Sequence, residues 1–520
     1  MAPVTKTLRA LLAAIPATDI VTSAGDLCTR ISAPVTESSR DVQPGGVFVA
    51  RKGLSTDGHR FIDSAIAAGA AAIVGEADIL PVPVPYVRVR NAQQAIGKLA
   101  AAYHDYPSRK LCVIGVTGTD GKTTTCHLLH SILKRATGIR PGYISTISAD
   151  FGAEAAATGL HVTTPGAPQI QAYLAKMVAA GLSHCILEMT SHGLAQGRLN
   201  GVDIDVAALT NVQHEHLDYH GSWAAYRDAK AVMFRRLVDS WRKPGIAKVA
   251  IINADDPSAD YFAAIPADRV LQYGIENTAE YHASDIQRAA AGSSFLVCGR
   301  TMQLRLPGAF NIANGLAALA AARALGVAWE AVGQGIAAVG LISGRMERID
   351  AGQDFIAMVD FAHTPNAVRS ALTACRGMLS QGGRIIAVFG SAGLRDVQKR
   401  RLMAETSAQL ADLTILTAED PRTESLEDIL AMMAQGCRER GGIEGETFWR
   451  IPDRGFAIYQ ACRLARAGDL VIVCGKGHEQ SMCFGSTEFA WDDREALRSA
   501  LVGAPLSTLP TADELAYAAD

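Results

Sequence analysis

From Val113 to Thr125 the chain reads V-I-G-V-T-G-T-D-G-K-T-T-T, and these residue types in this order can bind a phosphate. Glycines allow successive backbone N–H groups to turn toward one anion, the start of a helix adds its dipole, Lys122 brings a point charge, and the Thr123 hydroxyl suits Mg²⁺. The apolar, β-branched residues 113–116 predict a strand before the loop, and Leu128, Leu129, Ile132 and Leu133 recur at helical spacing after it. A plain glycine turn of an α/β unit is the blander reading, but Gly-Lys-Thr between a strand and a helix speaks against it. The common form of this loop places its first glycine at 116, where this chain has Val116, so the loop is a variant. The candidate nucleotide-phosphate residues are Thr117, Gly118, Thr119, Asp120, Gly121, Lys122, Thr123 and Thr124.

Further along, apolar runs repeatedly end in polar residues. Cys185-Ile186-Leu187 ends in Glu188, residues 206–209 lead to Thr210-Asn211 and then His214-Glu215-His216, and residues 249–252 lead to Asn253, Asp255 and Asp256. In an open parallel sheet ligands bind outside the carboxyl ends of the strands, so Glu188 and His216 are expected in the crevice that holds Lys122. A carboxylate and an imidazole beside phosphates point to Mg²⁺. The same histidines could instead form a zinc site, but no cysteine stands at metal spacing. Asn311 and Asn314, at the start of an Ala-rich helix, read as helix caps on their own.

A second set of strand ends carries D-F-A-H-T-P from Asp360, G-S-A-G-L-R-D from Gly390, E-D-P-R from Glu419 and G-K-G-H-E from Gly475. Their mouth gathers Arg395, Arg422, Glu419, Asp420 and Glu479. Both charge signs together suit a zwitterion with an extra charged end, because guanidinium forks take carboxylates and carboxylates take ammonium groups. Ordinary rim salt bridges are the plainer alternative.

The elements that must position these groups amount to an α/β protein of several domains. A chain of 520 residues exceeds one core, and its pattern divides into 1–109, 110–342 and 343–520, with Tyr106-Pro107-Ser108 as the first hinge. The first part is a small domain of short strands and helices, such as Val47 to Ala50 and the Ala-rich Ile66 to Val74. Its polar turn at Ser38-Ser39-Arg40 reads alone as a solvated loop. The hydrophobic fraction of 49% and net charge of -3 describe an ordinary globular protein and argue against nucleic-acid or membrane-surface partners. The ten scattered cysteines form no C-x-x-C pair and suggest buried small side chains in a reducing compartment. No apolar run of ~18 residues is present, and the apolar stretch from Leu8 to Ile15 stops at Pro16 without a clear cleavage site, so a cytoplasmic location is expected.

Taken together, T-G-T-D-G-K-T-T, T-T-P from Thr163, E-M-T-S-H-G-L-A-Q-G-R from Glu188, H-L-D-Y-H-G from His216, A-K-A-V-M-F from Ala229, G-R-M-E from Gly344, D-F-A-H-T-P, E-D-P-R and G-K-G-H-E resemble the Mur ligases, in the family's order and over nearly the whole chain. Within that family the likeness is to the tripeptide-forming branch. The resemblance implies an N-terminal UDP-binding α/β domain, a central parallel-sheet P-loop ATPase domain and a C-terminal Rossmann-like domain. It implies a monomer that uses ATP and Mg²⁺ to add an amino acid to UDP-MurNAc-L-Ala-D-Glu through an acyl phosphate. Ser39 and Arg40 would then meet the nucleotide end of that substrate, and Thr163, Thr164, Ser191, Gln196 and Arg198 its sugar and peptide. Lys122, Glu188, His216 and Lys230 would be catalytic. Thr123, Glu188, His216 and Lys230 would hold metal, the last as a carbamate, although from the residues alone Lys230 reads as a helix-surface lysine. Asn314, Arg345 and Asp360 would complete the ATP site. Arg395, Glu419, Asp420, Pro421, Arg422, Gly475 and Glu479 would bind the incoming amino acid.

The chain departs from the family in three places. Diaminopimelate-adding members usually read D-N-P-R where this chain has E-D-P-R. The added carboxylate would favour an ammonium and could repel a second carboxylate, whereas Arg422 argues for one, so a diamino acid is expected, meso-diaminopimelate ahead of L-lysine or ornithine. The loop from Gly390 to Arg395 departs from G-C-G-G-D-R, and Asp120 stands where Asn is usual. A folylpolyglutamate- or cyanophycin-type ligase and a non-catalytic nucleotide-binding protein are the alternatives. S-S-R, Q-G-R and E-D-P-R argue against the first, and intact Lys122, Glu188, His216 and Lys230 against the second.

Overall fold

The computed structural model describes residues 5–53, 56–79, 81–152, 155–157, 164–213, 215, 217–289 and 292–512, with the backbone alone at 155–157, 217 and 218. The expected Thr163 and His216 lie outside the described residues.

Strand Cys112–Thr117 is buried on both faces, as a central parallel strand requires. Val113 enters one apolar layer with Leu187, Met233 and Phe234, while Ile114 and Val116 enter the other with Leu128, Leu129 and Leu316. This strand lies within a nine-stranded sheet between His184–Glu188 and Val206–Leu209, followed outward by Val249–Asn253 and Arg269–Gly274. All of these pair in parallel; the antiparallel pairings lie at one edge, where Ser148–Asp150 runs against both Pro141–Ile144 and Ala155–Ala157. The foot of the phosphate strand is anchored by Asp205, fully buried, which accepts from the Val113 N–H at 2.8 Å and pairs with Lys248 at 2.9 Å and with Lys243.

Before this sheet comes a five-stranded one ordered Ile20–Ala24, Tyr86–Val89, Ala72–Gly75, Val47–Ala50, Val35–Thr36, parallel except for its first pair. The Ala-rich run around residue 68 divides into helix Ile62–Ala67 and strand Ala72–Gly75, because Gly69, at φ 94°, turns the chain between them. After the central sheet comes a six-stranded one, ordered Glu347–Ile349, Ile356–Asp360, Leu470–Cys474, Ile385–Phe389, Leu413–Leu416, Phe448–Arg450. Again only one edge pair is antiparallel. Three α/β units therefore follow one another, the second and third with parallel sheets.

Within the third unit a buried arginine brackets the strand ends. Arg454, fully buried, pairs through Nε and Nη2 with both oxygens of Asp493 at 2.7 and 2.8 Å. It also donates to the carbonyls of Ala418 at 3.0 Å and Cys474 at 2.7 Å, and the Trp491 indole donates to the same aspartate at 2.8 Å. Ala418 precedes Glu419 and Cys474 precedes Gly475, so this bracket sets the height of both loops. Breaking a buried ion pair on one side leaves the other charge uncompensated. We therefore predict that Asp493→Ala lowers the stability of the protein by about 3–5 kcal/mol in denaturant unfolding. A midpoint equal to that of the wild type would exclude the bracket as a stabilising element.

Candidate functional site

The carboxyl ends of the central and C-terminal sheets open on one cavity of about 1000 Å³. Its wall includes Thr119 to Thr124, Glu188, Asn314, Arg345 and Asp360 from the expected nucleotide set, Thr164, Gln196 and Arg198 from the muramoyl set, and Arg395 and Glu479 from the amino-acid set.

The phosphate loop is held open by its neighbours. The Thr119 N–H donates to the Asn211 carbonyl at 2.8 Å and the Asp120 N–H to Asn211 Oδ1 at 3.0 Å, while the Asp120 carbonyl accepts from Thr210 Oγ1 at 2.6 Å. Gly118 and Gly121 have φ of 154° and 81°; a Cβ at either would come within 1.8 Å of Thr210 Oγ1 or 2.1 Å of Asn314 Oδ1. Glycine is required here by backbone conformation and by space alike. Lys122 Nζ lies over the loop, donating to the Thr119 and Gly118 carbonyls at 2.7 and 3.2 Å. Thr117 and Gly118 do not line the cavity: the Thr117 hydroxyl donates to the Met189 carbonyl at 2.7 Å and fastens two strands together. The Asn311 and Asn314 side chains do not cap their helix. Asn311 Nδ2 donates to the Pro307 carbonyl, Asn314 Nδ2 donates to Asn311 Oδ1, and Asn314 is thereby turned to the cavity.

Glu188 ends its strand nearly dry. Both of its oxygens accept from Thr123 Oγ1 at 3.0 Å, and Thr146 adds its N–H at 3.0 Å and its hydroxyl at 2.8 Å. Among the described residues no ammonium or guanidinium pairs with it. A carboxylate and a hydroxyl are the hard oxygen donors that Mg²⁺ takes, so these residues fit the ion. Among the described residues no cluster of three or more His, Cys, Asp or Glu side chains forms a metal site by itself. Arg345 Nη2 donates to Thr123 Oγ1 at 3.2 Å, with its guanidinium over the Phe361 ring, 4.2 Å from the centroid. Asp360 accepts from the Met346 and Ala362 N–H groups, and burial raises its pKa against the pull of Arg345.

Lys230 is not a surface residue. Helix Trp223–Asp239 is capped by Ser222, and its buried stripe runs Tyr226, Lys230, Met233, Phe234, Leu237, so the lysine points inward. Its Nζ sits 4.2 Å from the Tyr226 ring centroid and donates to the Gly118 carbonyl at 2.6 Å. Burial, and Lys122 nearby, push its pKa well below the ordinary lysine range. The signal was present in the sequence as an i, i+3/i+4, i+7 stripe in which Lys230 takes one position.

The Asp120 carboxyl shares the cavity with Glu215, Lys122, His363 and Arg345; burial and Glu215 raise its pKa. His363, which sequence reasoning passed over, joins two units. Its Nδ1 faces the Phe361 carbonyl at 2.9 Å and its Nε2 faces Glu215 Oε1 at 3.3 Å. Burial alone would lower its pKa, but the Glu215 carboxylate outweighs that and raises it. With oxygens at both ring nitrogens, the surroundings favour the protonated imidazole.

Arg198 is aimed by its neighbours: Nε and Nη2 donate to Gln196 Oε1 and Nη1 to the Thr164 carbonyl at 2.7 Å. Ser191 is buried at the start of its helix, and half-buried Ser39 and exposed Arg40 sit on a turn away from this cavity.

The surroundings of E-D-P-R correct its charge reading. Asp420 is buried, and both its oxygens accept from Lys476 Nζ, at 3.0 and 2.9 Å, with the Cys483 N–H adding a bond at 2.9 Å. Its charge is therefore matched from within rather than offered to a ligand. Lys476 also pairs with Glu479 at 2.5 Å. Asp420 and Arg422 both have positive φ, 42° and 54°, and the loop is clamped through the Arg422 N–H to the Cys483 carbonyl at 3.0 Å. Sequence reasoning missed this clamp because its hairpin, Ser481–Phe484 and Thr487–Ala490, carries no motif. Glu419 is buried beside Gly475, where a Cβ would meet its Oε2 at 2.0 Å, and burial raises its pKa.

Known proteins share this arrangement. Residues 34–104 match the Mur ligase family catalytic domain, 116–322 the Mur ligase middle domain and 344–477 the Mur ligase glutamate ligase domain. The chain is 42% identical to a UDP-N-acetylmuramyl-tripeptide synthetase of Roseiflexus sp. (strain RS-1), over 90% of this chain and 94% of that protein. It is 37% identical to a UDP-N-acetylmuramoyl-L-alanyl-D-glutamate--2,6-diaminopimelate ligase of Bacillus licheniformis, over 89% and 93%. A solved structure of a ligase of that same description superposes with a TM-score of 0.60 at 32% identity, covering 90% of this chain and 94% of the other. With its cavity shared by a phosphate loop and charged residues of the C-terminal unit, and with likeness running through all three units, the chain belongs to the Mur ligase family.

Proposed function

We propose that this protein is an ATP-dependent ligase of peptidoglycan precursor synthesis that joins a diamino acid to UDP-MurNAc-L-Ala-D-Glu. The observation that carries the reading is the single cavity on which Lys122, Arg198 and Arg395 all open, since phosphate, acyl chain and amine must meet in one place. Residues 1–109 take the uridine nucleotide, with Ser39 and Arg40 at its end. Residues 110–342 take ATP, and residues 343–520 take the amino acid. Thr163, Thr164, Ser191, Gln196 and Arg198 serve the sugar and dipeptide. The enzyme works as a cytoplasmic monomer on small molecules; among the described residues no helix is long and apolar enough to cross a membrane.

The chemistry follows from the need to activate a poor acyl donor. The γ-phosphoryl group of ATP passes to the peptide carboxylate, the amine of the diamino acid attacks the acyl phosphate, and phosphate leaves. Lys122 offsets charge on the phosphates, Thr123 orients them, and Asn314, Arg345 and Asp360 close the nucleotide side. Thr123, Glu188, His216 and a carbamylated Lys230 would hold Mg²⁺, which when bound supplies positive charge beside the transferring group. Lys230 is fitted for carbamylation because burial favours its neutral, nucleophilic amine. Arg198 steadies the acyl chain. The pairing of the C-terminal His363 with Glu215 keeps the acceptor domain against the phosphate side.

For the acceptor, meso-diaminopimelate is favoured over L-lysine or ornithine. Asp420 spends its charge on Lys476, so it no longer argues against a second carboxylate, and Arg422 and the cavity-lining Arg395 carry the guanidinium forks that suit one.

The direct test is phosphate release from ATP with UDP-MurNAc-L-Ala-D-Glu and a panel of amino acids. Turnover is expected with a diamino acid and not with Lys122→Ala; silence with every diamino acid would sink the reading. ¹³C-bicarbonate should give a carbamate carbon resonance that Lys230→Ala lacks, and an unchanged spectrum would leave Lys230 unmodified. Asp420→Asn should keep the same preferred acceptor while losing about 1.5–3 kcal/mol of stability. A switch of acceptor in that variant would show that Asp420 reads the substrate directly.

A further inference from the structure

The reacting amine of an amino acid carries a carboxylate one carbon away, and the two must enter together. The amine has to reach an acyl phosphate formed on the Lys122 side of the cavity, so its carboxylate needs a cation close to the wall that faces the phosphate loop. On the C-terminal unit that wall is the turn after strand Ile356–Asp360, where His363 meets Glu215 at 3.3 Å.

Lys399, in the first turn of helix Gln398–Leu410, reaches this turn: its Nζ donates to the His363 carbonyl at 3.2 Å. An ammonium has three N–H donors, and among the described residues this is the one hydrogen bond Lys399 makes, with no carboxylate paired to it. Three other cations of this unit are committed elsewhere: Lys476 to Asp420 and Glu479, Arg454 to Asp493, Arg345 to Thr123 and the Phe361 face. Glu419 is buried, and among the described residues its Oε2 has no hydrogen-bond partner. Lys399 is the strongest of the cations acting on it. A half-buried ammonium with donors to spare thus sits against the His363 turn, whose residues line the cavity.

We propose that Lys399 binds the carboxylate next to the reacting amine of the acceptor. This rests on the ligase reading above and adds a residue to it.

The test compares Lys399→Met with wild type using an acceptor as free acid and as the amide of that one carboxyl: L-lysine against L-lysinamide, or meso-diaminopimelate against its L-centre monoamide, whichever acid the wild type uses. Wild type should favour the acid. In the variant KM for the acid should rise roughly 10- to 100-fold, KM for ATP and the UDP-dipeptide should hold, and acid and amide should be used alike. Lys399→Arg should restore part of the preference. An acid-to-amide ratio in Lys399→Met equal to that of wild type overturns the proposal, whatever the absolute rate. If the Met variant does not fold, Lys399→Gln carries the same comparison. Wild type inactive with every diamino acid would overturn the ligase reading and this proposal with it, a result distinct from an unchanged ratio in an active enzyme.

Discussion

A buried carboxylate without a cation governs the arrangement around the phosphate loop. Glu188 is 3% exposed, and desolvating a carboxylate is costly unless hydrogen bonds or an opposite charge compensate it. Here Thr123 and Thr146 supply the hydrogen bonds, while its charge stays unneutralised by any described residue of the protein. The position depends on register. Glu188 pairs with Val116 across the parallel ladder, one residue before Thr117. A slip of one residue would turn the carboxylate to the opposite face of the sheet.

The loop opposite Glu188 depends equally on neighbours. Thr210 and Asn211, at the end of the next strand, hold the backbone of Thr119 and Asp120, so its shape is fixed by protein contacts. Such preorganisation lowers the ordering cost of binding. The third unit then enters through Arg345, on Thr123, and His363, on Glu215. Both contacts land on residues of the phosphate side, so moving that unit away would disturb the site directly.

Strands and the phosphate loop were legible because their signals are local: β-branched runs buried on both faces, a glycine pair, and Lys-Thr opening a helix. Partnerships across long separations were not. Asp420 looked like a free negative charge because Lys476, its partner, lies in another motif on another strand, and the Cys483 N–H comes from a hairpin with no motif at all. Asn311 and Asn314 looked like caps because local statistics favour that role, whereas their side chains bond to Pro307 and to each other. Asp255, delivered to a strand end as expected, spends its carboxylate on the N–H groups of Ile275, Glu276 and Asn277 and builds a loop instead of a site.

Three lysines show why residue type alone underdetermines chemistry. Lys122 lies over its own loop carbonyls, and such neutral acceptors hold an ammonium less strongly than anionic phosphate oxygens do. Lys476 is buried between Asp420 and Glu479, and those two carboxylates raise its pKa against the effect of burial; it is a fixed structural cation. Lys230 is buried as deeply, but it meets a carbonyl and an aromatic face instead of a carboxylate, so the same desolvation drives it toward the neutral amine. What separates the charged structural lysine from the one pushed toward neutrality is whether a carboxylate lies within hydrogen-bonding reach. That depends on which strand ends the fold brings together, not on the residues beside each lysine in the chain.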